Sequence, residues 1–129
     1  MAHLLVIDNE PVFLNLISSS LRHDGHNVVA LEEPTDVLRL LLEEHAQVDL
    51  LITSLVMKPF SGFELLKRLN RAAVDVPVLF TSDSSALSTL VASGLGGRAI
   101  LEKPFTSVQL RNAVARALGK NKPLAPRAA

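Results

Sequence analysis

The sequence contains no cysteine, tryptophan or tyrosine, and these absences limit the functions that the chain can have. Without cysteine the chain cannot form disulfides, zinc–thiolate sites, iron–sulfur clusters or a cysteine nucleophile. Phenylalanine supplies all of the aromatic residues, which are only 4% of the composition. So few rings make a stacking platform for single-stranded nucleic acid hard to build.

Neither sign of charge is in excess, and no apolar run is long. The 13 basic and 13 acidic residues cancel, which argues against nucleic-acid binding through a broad basic surface. Apolar runs such as residues 4–7 are far too short to cross a membrane, and the N-terminus has no signal-peptide pattern. We therefore expect a cytoplasmic domain that binds neither nucleic acid nor membrane.

The length and composition are those of one domain with an aliphatic core. The chain has 129 residues, of which 48% are hydrophobic and 20% are charged, a composition typical of a folded chain. We expect the domain to cover residues 1–119. Residues 120–129, which include Pro123 and Pro126, are predicted to be a flexible tail or the beginning of a linker.

Short apolar runs alternate with longer segments of helical period. The predicted strands cover residues 3–8, 27–31, 48–53, 76–81 and 99–101. The predicted helices follow them and begin near residues 10, 34, 62, 84 and 106. Such strand–helix pairs with short loops predict an α/β fold, an open parallel sheet with helices on both faces. A closed eight-fold barrel needs about twice this length.

The first helix has apolar residues at a spacing that predicts its buried face. Pro11 suits its first turn, and Gly25 suits the left-handed cap that ends it. Spacings of three and four residues predict a buried stripe, formed by Phe13, Leu16, Ile17, Ser20 and Leu21.

Polar residues follow several of the predicted strands. In an open parallel sheet, ligands bind outside the carboxyl ends of the strands, so these residues are expected to meet at one rim. They are Asp8, Asn9 and Glu10 after the first strand, Thr53 and Ser54 after the third, Thr81, Ser82 and Asp83 after the fourth, and Glu102 and Lys103 after the fifth.

Separate stretches of the sequence, in their order and spacing, resemble the receiver domain of bacterial two-component response regulators. These stretches are residues 5–11, residues 49–54, Met57 with residues 62–66, residues 77–81, and residues 103–105. The resemblance extends over residues 3–118. It implies a doubly wound, flavodoxin-like sheet with the strand order 2-1-3-4-5.

The resemblance also implies which rim residues correspond to a phosphorylation site. In that family two adjacent acids bind magnesium, and an aspartate after the third strand accepts a phosphoryl group from a phosphohistidine. A hydroxyl residue after the fourth strand and a lysine after the fifth contact the phosphoryl oxygens. These positions correspond here to Asp8 and Asn9, to Ser54, to Thr81 and to Lys103.

Two of these positions depart from the family pattern. Asn9 replaces a carboxylate and Ser54 replaces the phosphoacceptor, while Ile100 stands where an aromatic switch residue is usual. Magnesium prefers carboxylate ligands, and a serine hydroxyl is a poor nucleophile without an adjacent base. We therefore expect no phosphotransfer at Ser54 and no cofactor, with magnesium bound only if the degenerate site still functions.

A simpler arrangement of the same residues is predicted instead. Asp8 and Lys103 are expected to form a structural ion pair at the rim. Ser54 is expected to be a loop hydroxyl that bonds to the backbone. Asp49 cannot replace the lost acceptor, because it lies at the opposite end of the third strand.

Two segments are candidate partner surfaces. The predicted helix over residues 84–93 has no charged residue, so its small neutral face costs little to desolvate; the alternative is a neutral face kept in solvent by its serines. The outer positions of this helix are represented by Ser85, Ser88, Thr89 and Ala92, and the first helix adds Val12 and Leu14, which lie off its predicted stripe.

Together these features predict a pseudo-receiver, which is a signalling domain and not an enzyme, acting through protein contacts without aspartyl phosphorylation. Its partner would be a histidine kinase, a phosphotransfer protein, an output protein or a second copy of the chain. Two alternatives stay open. One is a phosphorylatable receiver with an unusual site, and the other is the regulatory domain of a longer regulator with an output domain.

Overall fold

A five-stranded parallel sheet with the order β2-β1-β3-β4-β5 organises the chain, as predicted. The computed structural model describes residues 2–83 and 99–119. The elements are β1 (His3–Ile7), α1 (Pro11–His23), β2 (Asn27–Leu31), α2 (Pro34–Leu38) continued by a π-helical turn (Arg39–Glu43), β3 (Leu50–Ser54), α3 (Gly62–Arg71), β4 (Val78–Ser82), β5 (Ala99–Glu102) and α4 (Ser107–Gly119).

Successive side chains of a strand point in opposite directions, so each strand contributes to two layers, one on each face of the sheet. In β1, Leu5 and Ile7 pack in the layer that holds the buried residues of α2 and α3. Leu4 and Val6 pack in the other layer, with α1 and α4. Helices α2 and α3 therefore cover one face of the sheet, and α1 and α4 cover the other.

Helix boundaries follow local capping chemistry. The side chain of Ser61 accepts a hydrogen bond from Glu64 N at the start of α3. At α4, Thr106 Oγ1 accepts from Gln109 N while Gln109 Oε1 accepts from Thr106 N, a reciprocal pair that satisfies two otherwise unpaired backbone donors. Gly25, after α1, has the left-handed φ of 93° that the sequence predicted.

The predicted buried stripe of α1 is wrong in its phase. The residues that face the core are Leu14, Ile17, Ser18 and Leu21. Leu14 is 6% exposed, whereas Leu16 is 44% exposed. Leu14 is therefore a core residue and not a partner contact. Both stripes have helical spacing and share Ile17 and Leu21, so the spacing alone could not choose between them.

Several predictions concern segments outside the described residues. The helix predicted over residues 84–93, with its partner face at Ser85, Ser88, Thr89 and Ala92, lies outside them, and so does the tail over residues 120–129. Within the described residues, no helix is both long and apolar enough to span a membrane.

Gly62 is the position where α3 approaches the end of β3 most closely. Its N–H donates to Leu55 O at 2.8 Å. A Cβ at this position would overlap the carbonyl oxygen of Ser54 and crowd Thr53 Oγ1, at 3.2 Å. Only glycine lets the helix begin against this strand end.

Replacement of Gly62 is expected to destabilise the fold. Gly62→Ala should lower the free energy of unfolding by about 1–3 kcal/mol, because the methyl group forces a backbone shift. Gly119→Ala is the matched control: no atom lies within 4 Å of the added Cβ, so it should be neutral or stabilise by up to about 1 kcal/mol. Urea unfolding measures both. Equal stabilities of the two variants would contradict the close approach at Gly62.

Candidate functional site

The rim at the carboxyl ends of the strands collects the predicted site residues. Asp8 directly follows β1, and Lys103 directly follows β5. Ser54 and Thr81 are cross-strand partners at the ends of β3 and β4. These four residues bring one carboxylate, one ammonium and two hydroxyls to the rim from four strands.

Asp8 and Lys103 form a buried ion pair, so the predicted contact is confirmed. Lys103 Nζ lies 3.0 Å from Asp8 Oδ2, and their side chains are 8% and 1% exposed. The other carboxylate oxygen, Oδ1, accepts from Glu10 N at 2.9 Å. Both oxygens of Asp8 are therefore engaged by the chain's own donors.

The ammonium group of Lys103 is surrounded by further contacts. Glu10 Oε1 lies 3.6 Å away, and the ring centroid of Phe13 lies 4.3 Å from Nζ. Phe13 also packs on Phe105 at 6.2 Å between centroids. The ring that was predicted to face the core of the sheet instead shields this ion pair, where a cation over an aromatic face is stabilised.

The side chain of Asn9 connects two loops through hydrogen bonds. Its Nδ2 donates to Glu32 O at 2.6 Å and to Lys58 O at 3.2 Å. Its Oδ1 accepts from Lys58 N at 2.5 Å. The amide therefore joins the loop after β2 to the loop after β3, and no pattern in the sequence indicated this role.

The hydroxyl of Ser54 bonds to the backbone, as predicted. Ser54 is buried, and its Oγ donates to Val56 O at 3.2 Å. Thr81 is also buried, and its Oγ1 has no hydrogen-bond partner among the residues that the structure describes. The roles of these two hydroxyls toward a phosphoryl group stay predictions.

The oxygen atoms that these residues offer as ligands do not fit magnesium. The ion requires oxygen ligands, usually one or two carboxylates. Asp8 is the carboxylate available at the family's metal position, and the Lys103 ammonium contacts it directly. The Asn9 oxygen is already bound to Lys58 N. A cation would have to displace an ammonium from the carboxylate it needs.

The other predicted residues are not among the side chains that contact one another at the rim. Asp49 precedes β3, and its Oδ2 accepts from His3 N at 2.8 Å, at the end of the sheet opposite the rim, as predicted. Ile100 is half-buried and packs against the layer under α2 and α3. Val12 is 76% exposed at the start of α1, and its role as a partner contact stays a prediction.

Comparisons with known sequences identify relatives of this chain. Residues 4–115 match the response regulator receiver domain. The transcriptional regulatory protein GlrR of Escherichia coli is 32% identical over 123 residues, which are 95% of this chain and 27% of GlrR. The response regulator SaeR of Staphylococcus epidermidis is 25% identical over 111 residues, 85% of this chain and 47% of SaeR. The chain spans between about a quarter and a half of these relatives.

Solved structures match nearly the whole chain. A response regulator receiver domain protein from Clostridium thermocellum superposes with a TM-score of 0.81 and 27% identity, covering 93% of this chain and 96% of that one. FixJ-N superposes with a TM-score of 0.83 and 22% identity, covering 96% and 98%. The second likeness supports the fold alone.

The effects on stability of replacing Asp8 and Lys103 should be strongly coupled. Asp8→Asn or Lys103→Met alone should lower the free energy of unfolding by about 3–5 kcal/mol, because each leaves a buried charge without its partner. The double variant should be more stable than the sum of the two losses predicts, by about 1–3 kcal/mol. Chemical denaturation of the four proteins measures the cycle.

An exposed ion pair provides the control. Arg111 Nε lies 3.1 Å from Asp24 Oδ2, with the Arg111 side chain 55% exposed. Arg111→Met should therefore cost no more than about 1 kcal/mol. Additive effects at Asp8 and Lys103, or losses as small as that of the control, would contradict an energetic role for the buried pair.

Proposed function

The chain belongs to the response regulator receiver domain family, and we propose that it is a pseudo-receiver, which signals through protein contacts without aspartyl phosphorylation. Receiver domains are the signalling domains of two-component systems. The observation that carries the proposal is the buried Asp8–Lys103 pair, at 3.0 Å, beside a serine at the acceptor position.

The end of β3 offers no good nucleophile. Ser54 has a hydroxyl where the family has a carboxylate, and this hydroxyl donates to Val56 O. A serine becomes a nucleophile when an adjacent base removes its proton. Among the described residues, the group that holds the hydroxyl is a backbone carbonyl, which cannot act as that base.

The charges of the rim also oppose transfer of a phosphoryl group. Transfer needs positive charge to offset the charge that develops on the phosphoryl oxygens. Lys103 could supply it, but its ammonium is held by Asp8 at 3.0 Å and by Glu10 at 3.6 Å. Two carboxylates and one ammonium leave the local charge negative, so an incoming phosphate is repelled.

Protein contacts are then the activity that remains. Receiver domains interact with histidine kinases and with output domains. The proposed partner of this chain is a signalling protein of that kind, namely a histidine kinase, a phosphotransfer protein or an output protein, met in the cytoplasm. Val12, exposed at the start of α1 beside the rim, is a candidate contact for it.

A second candidate is a regulatory domain within a longer regulator. The chain covers 27% of GlrR and 47% of SaeR, so these relatives contain further sequence beyond the matched part. In such a regulator the partner of this domain would be an output domain of the same polypeptide. This candidate is compatible with loss of phosphorylation.

Incubation with a small phosphodonor and magnesium tests the proposal. Wild type should gain no phosphoryl mass, because it has neither acceptor nor acid pair. Asn9→Asp with Ser54→Asp should gain one phosphoryl group, since it rebuilds both beside Thr81 and Lys103, and Ser54→Asp alone should react weakly. Intact mass spectrometry measures the increments.

The matched control is Asn9→Asp with Ser54→Asn, which has nearly the same shape but no carboxylate at the end of β3. It should stay unmodified. Phosphorylation of wild type at any aspartate would overturn the pseudo-receiver proposal and favour a receiver with an unusual site.

A further inference from the structure

Charge is segregated between the two helices that cover one face of the sheet. Helix α2 and the π-helical turn, together with the residue that follows them, form an acidic cluster with a net charge of −2; its members are Asp36, Arg39, Glu43 and Glu44. Helix α3 carries a basic cluster with a net charge of +2, consisting of Glu64, Lys67, Arg68 and Arg71. The two clusters are equal in size and opposite in sign.

The basic cluster is organised around a single carboxylate. Glu64 contacts Arg68 at 3.1 Å, Arg71 at 3.6 Å and Lys67 at 3.8 Å. The hydrogen bond from Arg68 is the main reason that the pKa of Glu64 lies below its usual value; burial opposes this lowering, and the charges of Lys67 and Arg71 add to it. Two positive charges remain in excess.

Aromatic rings help to hold these cations in position. The Arg68 guanidinium lies 4.0 Å from the centroid of Phe60. The Lys67 ammonium lies 5.0 Å from the centroid of Phe63. Arginine and aromatic residues are enriched in protein–protein interfaces, and cations held over rings lose less freedom when a partner binds.

The acidic cluster has the reverse arrangement, with a cation at its centre. Arg39 contacts Asp36 at 3.4 Å and Glu44 at 2.5 Å. The hydrogen bond to Asp36, ahead of the contacts with Glu44, raises the pKa of the Arg39 guanidinium. With Glu43 also exposed, two negative charges remain in excess.

The two clusters do not neutralise each other within the chain. Among the described residues, every ion pair of Arg39 and Glu64 stays inside its own cluster. The side chains are accessible: Asp36 is 41% exposed and Arg71 is 67% exposed. Both clusters are therefore available to a partner that presents both signs of charge side by side.

We propose that this face binds a second copy of the chain, about a two-fold axis that lies between α2 and α3 and runs parallel to them. Each helix connects two parallel strands, so both run in the same direction. This axis lays α2 of each copy over α3 of the other, so the acidic cluster of each copy faces the basic cluster of the other. Such an interface is self-complementary, as a two-fold interface must be.

Electrostatics selects this axis over the alternative. A two-fold axis across the helices would lay acidic on acidic and basic on basic, and like charges facing each other across an interface are unfavourable. The net charge of zero leaves no overall repulsion between copies. A partner of one sign would match only half of the face, whereas a second copy matches both halves. This inference does not depend on the proposed function.

Sedimentation velocity over a concentration series tests the inference. Wild type should dimerise at low ionic strength, and its dissociation constant should rise at least about tenfold in half-molar salt, because exposed ion pairs are screened. Lys67→Glu with Arg71→Glu leaves both clusters acidic, and Glu43→Lys with Glu44→Lys leaves both basic. Each variant alone should be monomeric, and an equimolar mixture should form a heterodimer.

A control separates this interface from simple attraction between oppositely charged proteins. Arg22→Glu with Arg116→Glu changes the net charge as Lys67→Glu with Arg71→Glu does, but on α1 and α4, at the other face. This control should still dimerise, whereas the Lys67/Arg71 variant of the same net charge should not, and it should not replace that variant in the heterodimer. Circular dichroism checks that every variant is folded. A monomeric wild type at low salt, folded reversal variants that still dimerise, or a mixture that stays monomeric would each overturn the inference.

Discussion

The buried ion pair between Asp8 and Lys103 determines which groups of the rim are free to bind a ligand. It joins the ends of β1 and β5, which are separated in the sheet by β3 and β4, and the two side chains are almost fully buried. Removing two charges from water is costly, and the cost is recovered only when each charge keeps its partner. Glu10 N and the ring of Phe13 complete the surroundings of the pair. The charged groups of the ion pair are therefore already bound to other groups of the chain.

Asn9 and Ser54, two further polar residues of the rim, are also engaged by the chain itself. Asn9 joins the loops after β2 and β3, and Ser54 bonds to Val56 O. Receiver chemistry depends on groups that stay free for a metal ion and a phosphoryl group, whereas here such groups stabilise the fold. The proposed function therefore relies on the surfaces of the chain. One such surface is the face of α2 and α3, whose two charge clusters are held apart on neighbouring helices.

The fold could be predicted because its signals are local. Short apolar runs such as residues 4–7 recur between helical segments, and such alternation specifies a parallel sheet. The phase of α1 could not be predicted, since Leu14 and Leu16 are chemically equivalent and packing against the sheet alone decides between them. The role of Asn9 depends on Glu32 and Lys58, which only the folded loops bring near. The Asp8–Lys103 contact was predictable once the strand ends were known to share one rim.

The central claim is that Asp8 and Lys103 bind each other, so that the rim does not bind a phosphoryl group. The most direct measurement is the amide NMR spectrum of wild type with magnesium and beryllofluoride, which adds to a carboxylate to give a tetrahedral adduct that resembles an acyl phosphate. The account predicts that the resonances of Asp8, Ser54 and Lys103 stay unchanged, because the carboxylate and the ammonium already bind each other. Saturable shifts localised at these three residues would contradict it.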